Sequence, residues 1–216
     1  ETRKIAMFFN KKCIFAPYYR KIAFMSCILH IETSTEVCSV AVSEDGLAEF
    51  KREDFQGPQH AVQLGVFVDE ALSFVDSHAM PLDAVAVSCG PGSYTGLRIG
   101  VSMAKGICYG RNLPLIALPT LEIMCVPVLF RDDLPEDALL CPMIDARRME
   151  VYTQLFSAEG VAQSEVEAKI IDGMSFSAER TSDYPFVIFG SGAAKCAEVL
   201  GGATYIEVVP SARGMA

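Results

Sequence analysis

Two short stretches hold the residue types that could do chemistry. The first is Gly90-Pro91-Gly92-Ser93-Tyr94-Thr95-Gly96. It follows Val85 to Cys89, a short apolar β-branched run that suits a strand covered on both faces. It precedes a helix expected to run to about Tyr109, with Gly110 as its C-cap. A loop that carries a strand end into a helix N-terminus gathers free N–H groups, which suit an anion. The glycines do not follow the Walker pattern, because no Lys-Ser/Thr comes after the last one. They also miss the G-x-G-x-x-G spacing by one residue, and Pro91 removes a donor. A ligand loop and a structural turn both remain open. The second stretch is Glu32-Thr33-Ser34-Thr35-Glu36, which places hydroxyls and a carboxylate at one hairpin tip. Phosphate or Mg²⁺ could use such a tip, although Ser and Thr more simply close side-chain-to-backbone turns.

Other chemistries find little support. The three histidines, His30, His60 and His78, lack H-x-x-x-H spacing, so no metal site is expected. No nucleophile–His–acid set is evident, so no catalytic residue is assigned. Eight cysteines are scattered without a C-x-x-C and read as reduced, mostly buried thiols of a cytoplasmic protein. The chain has 216 residues and a formal charge of −9. Residues 1–24 carry six bases and one acid, which leaves −14 on the remainder. Such a body is poorly suited to gripping a nucleic-acid backbone alone. With 51% hydrophobic and 21% charged residues, a packed globular core is expected, and no apolar run is long enough to span a membrane.

These stretches need a scaffold. Residues 1–24 read as an N-terminal extension, disordered or non-native, ahead of a natural start at Met25. Strands are expected at Ile28–Ile31, Val37–Ser43 and Leu47–Arg52, with an Asp45-Gly46 hairpin turn. A helix follows over Gln59–Ser77. It carries an apolar stripe of Ala61, Leu64, Val68, Ala71, Leu72 and Val75, widened by Val62, Val66, Phe67 and Phe74. The helix after the glycine loop is apolar on most sides, through Leu97, Ile99, Val101, Met103 and Ile107. Gly96, Gly100 and Ala104 form a small-residue strip along it, suited to packing inside the chain, against a second subunit, or both. Leu113–Leu118 then reads as a strand and Thr120–Phe130 as a helix opened by Pro119.

Residues 131–137 form a charged linker and divide the chain into domains at 25–131 and 138–216. The second domain repeats the first. Ile144-Asp145-Ala146 leading to Glu150-Val151 echoes Ile31-Glu32-Thr33 leading to Glu36-Val37. Phe186 to Gly192, ending Gly190-Ser191-Gly192, echoes Val85 to Gly92. Thr204–Val209 reads as a strand and Ser211–Gly214 as the beginning of a helix. The expected class is α/β, a duplicated β-β-β-α-β-α-β-α plan shortened at the C-terminal end of the second copy. A cleft between two such domains is where a small ligand would sit.

This plan is that of the actin/hexokinase/Hsp70 ATPase superfamily, with ribonuclease H-like domains. Ile31-Glu32-Thr33-Ser34-Thr35, the run from Gly90 to Gly100 and Ile144-Asp145-Ala146-Arg147 together resemble the bacterial TsaB (YeaZ) family over roughly residues 26–216. The resemblance implies a role in making N6-threonylcarbamoyladenosine beside the tRNA anticodon, as a non-catalytic partner of the paralogous TsaD, with the ATPase TsaE joining the complex. It also implies a homodimer when alone, and tRNA contact only through the complex. Docking would use helices 59–77 and 95–109, through Leu64, Val66, Phe67, Phe74, Leu97, Gly100, Met103 and Ala104. Glu32, Thr33, Ser34, Gly90, Gly92, Ser93, Asp145, Gly190 and Gly192 would be vestiges of nucleotide loops, with no cofactor of the chain's own and ATP or ADP only at a complex interface. The family usually has Asp where Glu32 stands, and the longer carboxylate would displace any Mg²⁺-bridging water. A small-molecule kinase of the same fold and a glycoprotease-like (M22-type) metallopeptidase are the rival readings.

Overall fold

The computed structural model describes residues 26–57, 59–180 and 183–216. The expected extension over residues 1–24 lies outside the described residues. Two five-stranded mixed sheets carry the fold. The first contains β1 (Cys27–Glu32), β2 (Cys38–Glu44), β3 (Leu47–Asp54), β4 (Ala84–Ser88) and β5 (Leu115–Leu118), in the spatial order β3-β2-β1-β4-β5. The second contains β6 (Leu139–Asp145), β7 (Glu150–Thr153), β8 (Glu167–Ile170), β9 (Phe186–Phe189) and β10 (Thr204–Ile206). Its order, β10-β9-β6-β7-β8, is the first sheet's order read from the other edge. The duplication seen in the sequence is therefore a duplication of topology. In each half an antiparallel meander is followed by two strands parallel to the first.

Alternation along the strands separates the faces of the first sheet. Leu29, Ile31, Val40, Val42, Val85 and Val87 form a core with helix α1 (His60–Ser77) and helix α2 (Tyr94–Arg111). The opposite face is small and polar, with His30, Ser39, Ser43 and Ser88 all buried. His30 is a core residue there, its Nε2 2.7 Å from Ser43 Oγ, and burial pulls its pKa down to about 4. Helix α3 (Thr120–Leu129) belongs by sequence to the first half, yet Leu121, Met124, Cys125 and Val128 pack with Leu140, Ile144, Phe156, Val187 and Phe189 of the second. The chain end returns the crossing. Ala212 opens a 3₁₀ turn (Ala212–Met215), is fully buried, and donates its N–H to Ser39 Oγ at 2.8 Å.

Several boundaries move. Helix α2 runs through Gly110, and its C-cap is Asn112 in the left-handed conformation with φ 54°. Asn tolerates that region, so glycine is not required there. Pro119 is the N-cap of α3 and not its first residue. Strand β7 stops at Thr153, because Phe156 turns inward and bridges Leu140. Among the described residues the second half has two short helices, α4 (Ser177–Arg180) and α5 (Ala193–Cys196), the latter packing Ala193 and Cys196 on Met143 and Ile188 of the other face. The Asp45-Gly46 turn forms as expected, with both φ values positive.

The small-residue strip of α2 resolves in favour of packing inside the chain. A Cβ at Gly96 would overlap the Thr33 carbonyl, and one at Gly100 would overlap the Thr33 hydroxyl. Ala104 is fully buried. By contrast, a Cβ at Gly106 meets nothing within 4 Å. Gly96→Ala should therefore cost about 1–3 kcal/mol from overpacking, while Gly106→Ala should gain up to about 1 kcal/mol of helix propensity. Urea unfolding of the two variants measures both values and their opposite signs.

Candidate functional site

The glycine loop and the β1–β2 turn meet at the carboxyl ends of β1 and β4, where open α/β sheets present ligand sites. Here the space is filled by the chain itself. Ser93 donates its N–H to the Ser34 carbonyl at 2.6 Å, and a Cβ at Gly92 would overlap that same carbonyl. Thr33 Oγ1 donates to the Gly96 carbonyl at 2.8 Å. The Ser93 side chain caps α2 by accepting from Gly96 N–H at 3.2 Å. Gly90 and Gly92 have φ of 103° and 157°, which a side chain would strain. The loop makes a tight structural turn: Gly92 and Gly96 let two backbones touch, and the Ser93 N–H is engaged by the Ser34 carbonyl.

The second half repeats the arrangement. Gly192 donates its N–H to the Met143 carbonyl at 2.9 Å, and a Cβ there would sit 3.0 Å from the Ile144 carbonyl carbon. Gly190, with φ 102°, leaves room for Met124 of α3 and the Met143 carbonyl.

Each turn brings one carboxylate to this region, and each is already engaged. Glu32 is completely buried, and its Oε1 accepts from Ser34 N–H at 2.5 Å. Its Oε2 has no hydrogen-bond partner among the described residues. Burial pushes its pKa up against the opposing pull of the Ser34 hydrogen bonds, which favours the protonated, neutral carboxyl. Asp145 takes the other course. Burial pushes its pKa up, but Lys195 Nζ at 2.5 Å and the Arg147 N–H at 2.7 Å outweigh that and hold it below the usual carboxylate range. Lys195 also donates to the Glu150 carbonyl at 2.7 Å. Glu32 is closed off by burial, whereas Asp145 is about half exposed and tied through Oδ1 to Lys195 and the Arg147 N–H. The cleft between the halves, lined by Thr35, Gly190, Ser191, Tyr205 and residues 207–210, encloses about 220 Å³. Small-ligand pockets usually span about 300–1,000 Å³. Among the described residues, no group of three or more His, Cys, Asp or Glu is placed to hold a metal.

The outer face of α1 and α2 is built differently. A shallow groove of about 730 Å³ runs along α2, lined by Thr95, Arg98, Ile99, Ser102, Met103, Gly106 and Ile107. Val62 and Val66 are 68% and 50% exposed on α1, and Tyr94 and Tyr109 are 74% and 94% exposed on α2. Of the docking residues expected from the sequence, Val66 and Met103 lie on this face. Leu64, Gly100 and Ala104 do not: all three are buried against the first sheet or its turn. Phe67, Phe74 and Leu97 are half-buried. Phe67 packs onto the core, Phe74 stacks on Phe50 with ring centroids 5.4 Å apart, and Leu97 tucks under Gly90. The sequence reading grouped Val62 with Val66 in the apolar set that widens the α1 stripe, and left Gly106, Tyr94 and Tyr109 out of the docking face. The available signal was the i, i+4, i+8 row Ile99-Met103-Ile107, which is only partly buried on the core and lines the groove.

The buried Glu32 carries a pH signature. An unfolded carboxyl ionises in the ordinary range, whereas the folded one resists ionisation. Its contribution to stability is complete at low pH and is lost as pH rises toward the raised folded pKa. Glu32→Gln removes that loss. Urea midpoints of the two proteins should diverge from pH 5 to pH 8, with the variant the more stable at pH 8.

Comparison with known proteins places this geometry in a family. Residues 55–196 match the family model described as TsaD, tRNA N6-adenosine threonylcarbamoyltransferase. The tRNA threonylcarbamoyladenosine biosynthesis protein TsaB of Bacillus subtilis is 32% identical over 129 residues, covering 60% of this chain and 54% of that protein. TsaB of Escherichia coli is 34% identical over 125 residues, covering 58% and 52%. The chain thus spans about half the length of the curated relatives it matches. In structure it is similar to YeaZ from Pseudomonas aeruginosa, with a TM-score of 0.70, 24% identity and coverage of 88% and 89%. A second Pseudomonas aeruginosa structure, described as similar to peptidase YEAZ, gives 0.72 with 88% of each chain covered at 24% identity. That likeness shows the fold expected from the sequence, duplicated actin-like domains. The chain belongs to the TsaD family, and among its members it is similar to the TsaB (YeaZ) proteins.

Proposed function

We propose that this chain acts in N6-threonylcarbamoyladenosine modification of tRNA as a docking partner of a TsaD-type transferase and not as the transferase itself. The observation that carries the reading is the contrast between its two faces. Its glycine loop and β1–β2 turn are packed on each other, Glu32 is buried and Asp145 is paired with Lys195. Val62 and Val66 on α1 and Tyr109 on α2 are exposed, and a groove runs along α2. Exposed apolar patches of this kind mark protein contacts. The printed names of the relatives, TsaB, connect them with the biosynthesis of the modified nucleoside.

In this reading the chain holds no nucleotide of its own, ATP or ADP binds at a complex interface, and TsaE joins the assembly. The face also serves a homodimer when the partner is absent, and the work is done in the cytoplasm. No helix among the described residues is long and apolar enough to cross a membrane.

The test introduces charge at Val66, half exposed on α1, and at Met103, which lines the groove while packing partly on the core. Val66→Glu combined with Met103→Glu should abolish co-elution with the TsaD-type partner in size-exclusion chromatography. Reconstituted tRNA modification should fall to the level seen without this chain, and circular dichroism should be unchanged. Retained co-elution and modification would overturn the reading. Modification by this chain alone would do the same.

A further inference from the structure

Arg147 and Arg148 sit side by side in the turn between β6 and β7, and both have positive φ, 75° and 49°. Non-glycine residues rarely occupy that region, and two in succession are costly. The surrounding hydrogen bonds hold them there. Arg147 N–H donates to Asp145 Oδ1 at 2.7 Å, Ala146 N–H to the Glu150 carbonyl at 3.1 Å, and Glu150 N–H to the Arg147 carbonyl at 3.0 Å. Asn or Gly would fill these positions with less strain. Both side chains are exposed, and neither guanidinium meets a carboxylate among the described residues. Most other cations of the body are spent. Lys51, Arg52, Arg111, Arg131, Lys169 and Lys195 are in ion pairs. Arg180 donates to three backbone carbonyls.

A strained turn that presents two free guanidinium groups on a body of net charge −14 runs against both local propensity and the general field. Strain of this kind persists where the surroundings impose it, and it gathers at functional positions. Guanidinium groups pair with phosphate in a fixed, bidentate geometry. The strand end before the turn is tied to the cleft lining, because Asp145 N–H donates to Ser191 Oγ, and Ser191 lines the cleft.

We infer that Arg147 and Arg148 contact the phosphodiester backbone of the tRNA when this chain is docked on its partner. The inference rests on the proposed function, because an acidic body gains useful affinity from two cations only where a partner supplies the remainder of the RNA contact. These contacts position the RNA and carry no sequence information.

The test uses the assembled complex and an unmodified tRNA transcript, with binding measured across a potassium chloride series. Arg147→Asn with Arg148→Gly should weaken binding roughly tenfold or more near 0.1 M salt, and should reduce the slope of log K against log salt by about 1.5. The same variant should melt at an equal or higher temperature, since the turn is relieved. Arg147→Lys with Arg148→Lys should keep most of the slope. Co-elution with the partner should be unchanged in both. An unchanged affinity and slope with docking intact overturns this inference alone. Loss of docking in the Asn-Gly variant also overturns it, by assigning the turn to a protein contact. Failure of the wild-type chain to dock defeats the docking reading and this inference together.

Discussion

The contact between the β1–β2 turn and the start of α2 governs the first half of the molecule. Thr33 and Ser34 lie against Gly92, Gly96 and Gly100 so closely that no side chain fits between them. The contact pins the helix to the carboxyl end of the parallel strands and sets which sides of α2 face inward. It is assembled from backbone: Ser34 and Gly96 offer carbonyls, and Ser93 N–H and the Thr33 hydroxyl donate to them. Such contacts tolerate little adjustment, because protein interiors are close-packed and a displaced backbone cannot rotate away as a side chain can. Gly190 and Gly192 make an equivalent approach to Met143 and Ile144 in the second half. The same device thus packs both glycine loops against the turn or strand end beside them.

The carboxylates of the two turns meet opposite surroundings within the chain. Glu32 is buried where the charged form is disfavoured, and Asp145 is held ionised by Lys195. These are opposite electrostatic outcomes from equivalent positions of a repeated plan. Burial decides the first, because no cation stands beside Glu32 to offset desolvation. An ammonium group decides the second, because Asp145 is about half exposed and the pair stays partly solvated. The halves are further tied by crossing elements. Helix α3 of the first half lies on the second sheet, and the turn at Ala212 returns to the first. A cleft bounded in this way is a joint within the scaffold, and the exposed apolar surface lies elsewhere, on the outer sides of α1 and α2.

Much of this was legible in residue order. Strand and helix periods identified the first five strands, the three long helices and the repeat, because amphipathic stripes and buried β-branched runs are local signals. The echo of Ile31-Glu32-Thr33 in Ile144-Asp145-Ala146 located the pseudo-equivalent turns. What failed was the assignment of sides on α2. Gly96, Gly100 and Ala104 read equally well as an inner seam or an outer one, since small residues permit close approach by any neighbour. Leu64 was drawn into the face by its place among apolar neighbours on α1, although it is 1% exposed. Strand β8 and the short helices of the second half carried patterns too brief to place.

Composition, hydrophobic period and the recurrence of two glycine-bearing loops determine the duplicated α/β plan, because each is a property of neighbouring residues. Three-dimensional packing alone decides which of the two seams of α2 is closed by Thr33 and which stays open. It also decides whether a carboxylate at a strand end is buried away from water or meets a lysine fifty residues away. Those outcomes depend on distances between segments remote in sequence. Burial and Coulomb energy act through such distances and not through the order of residues along the chain.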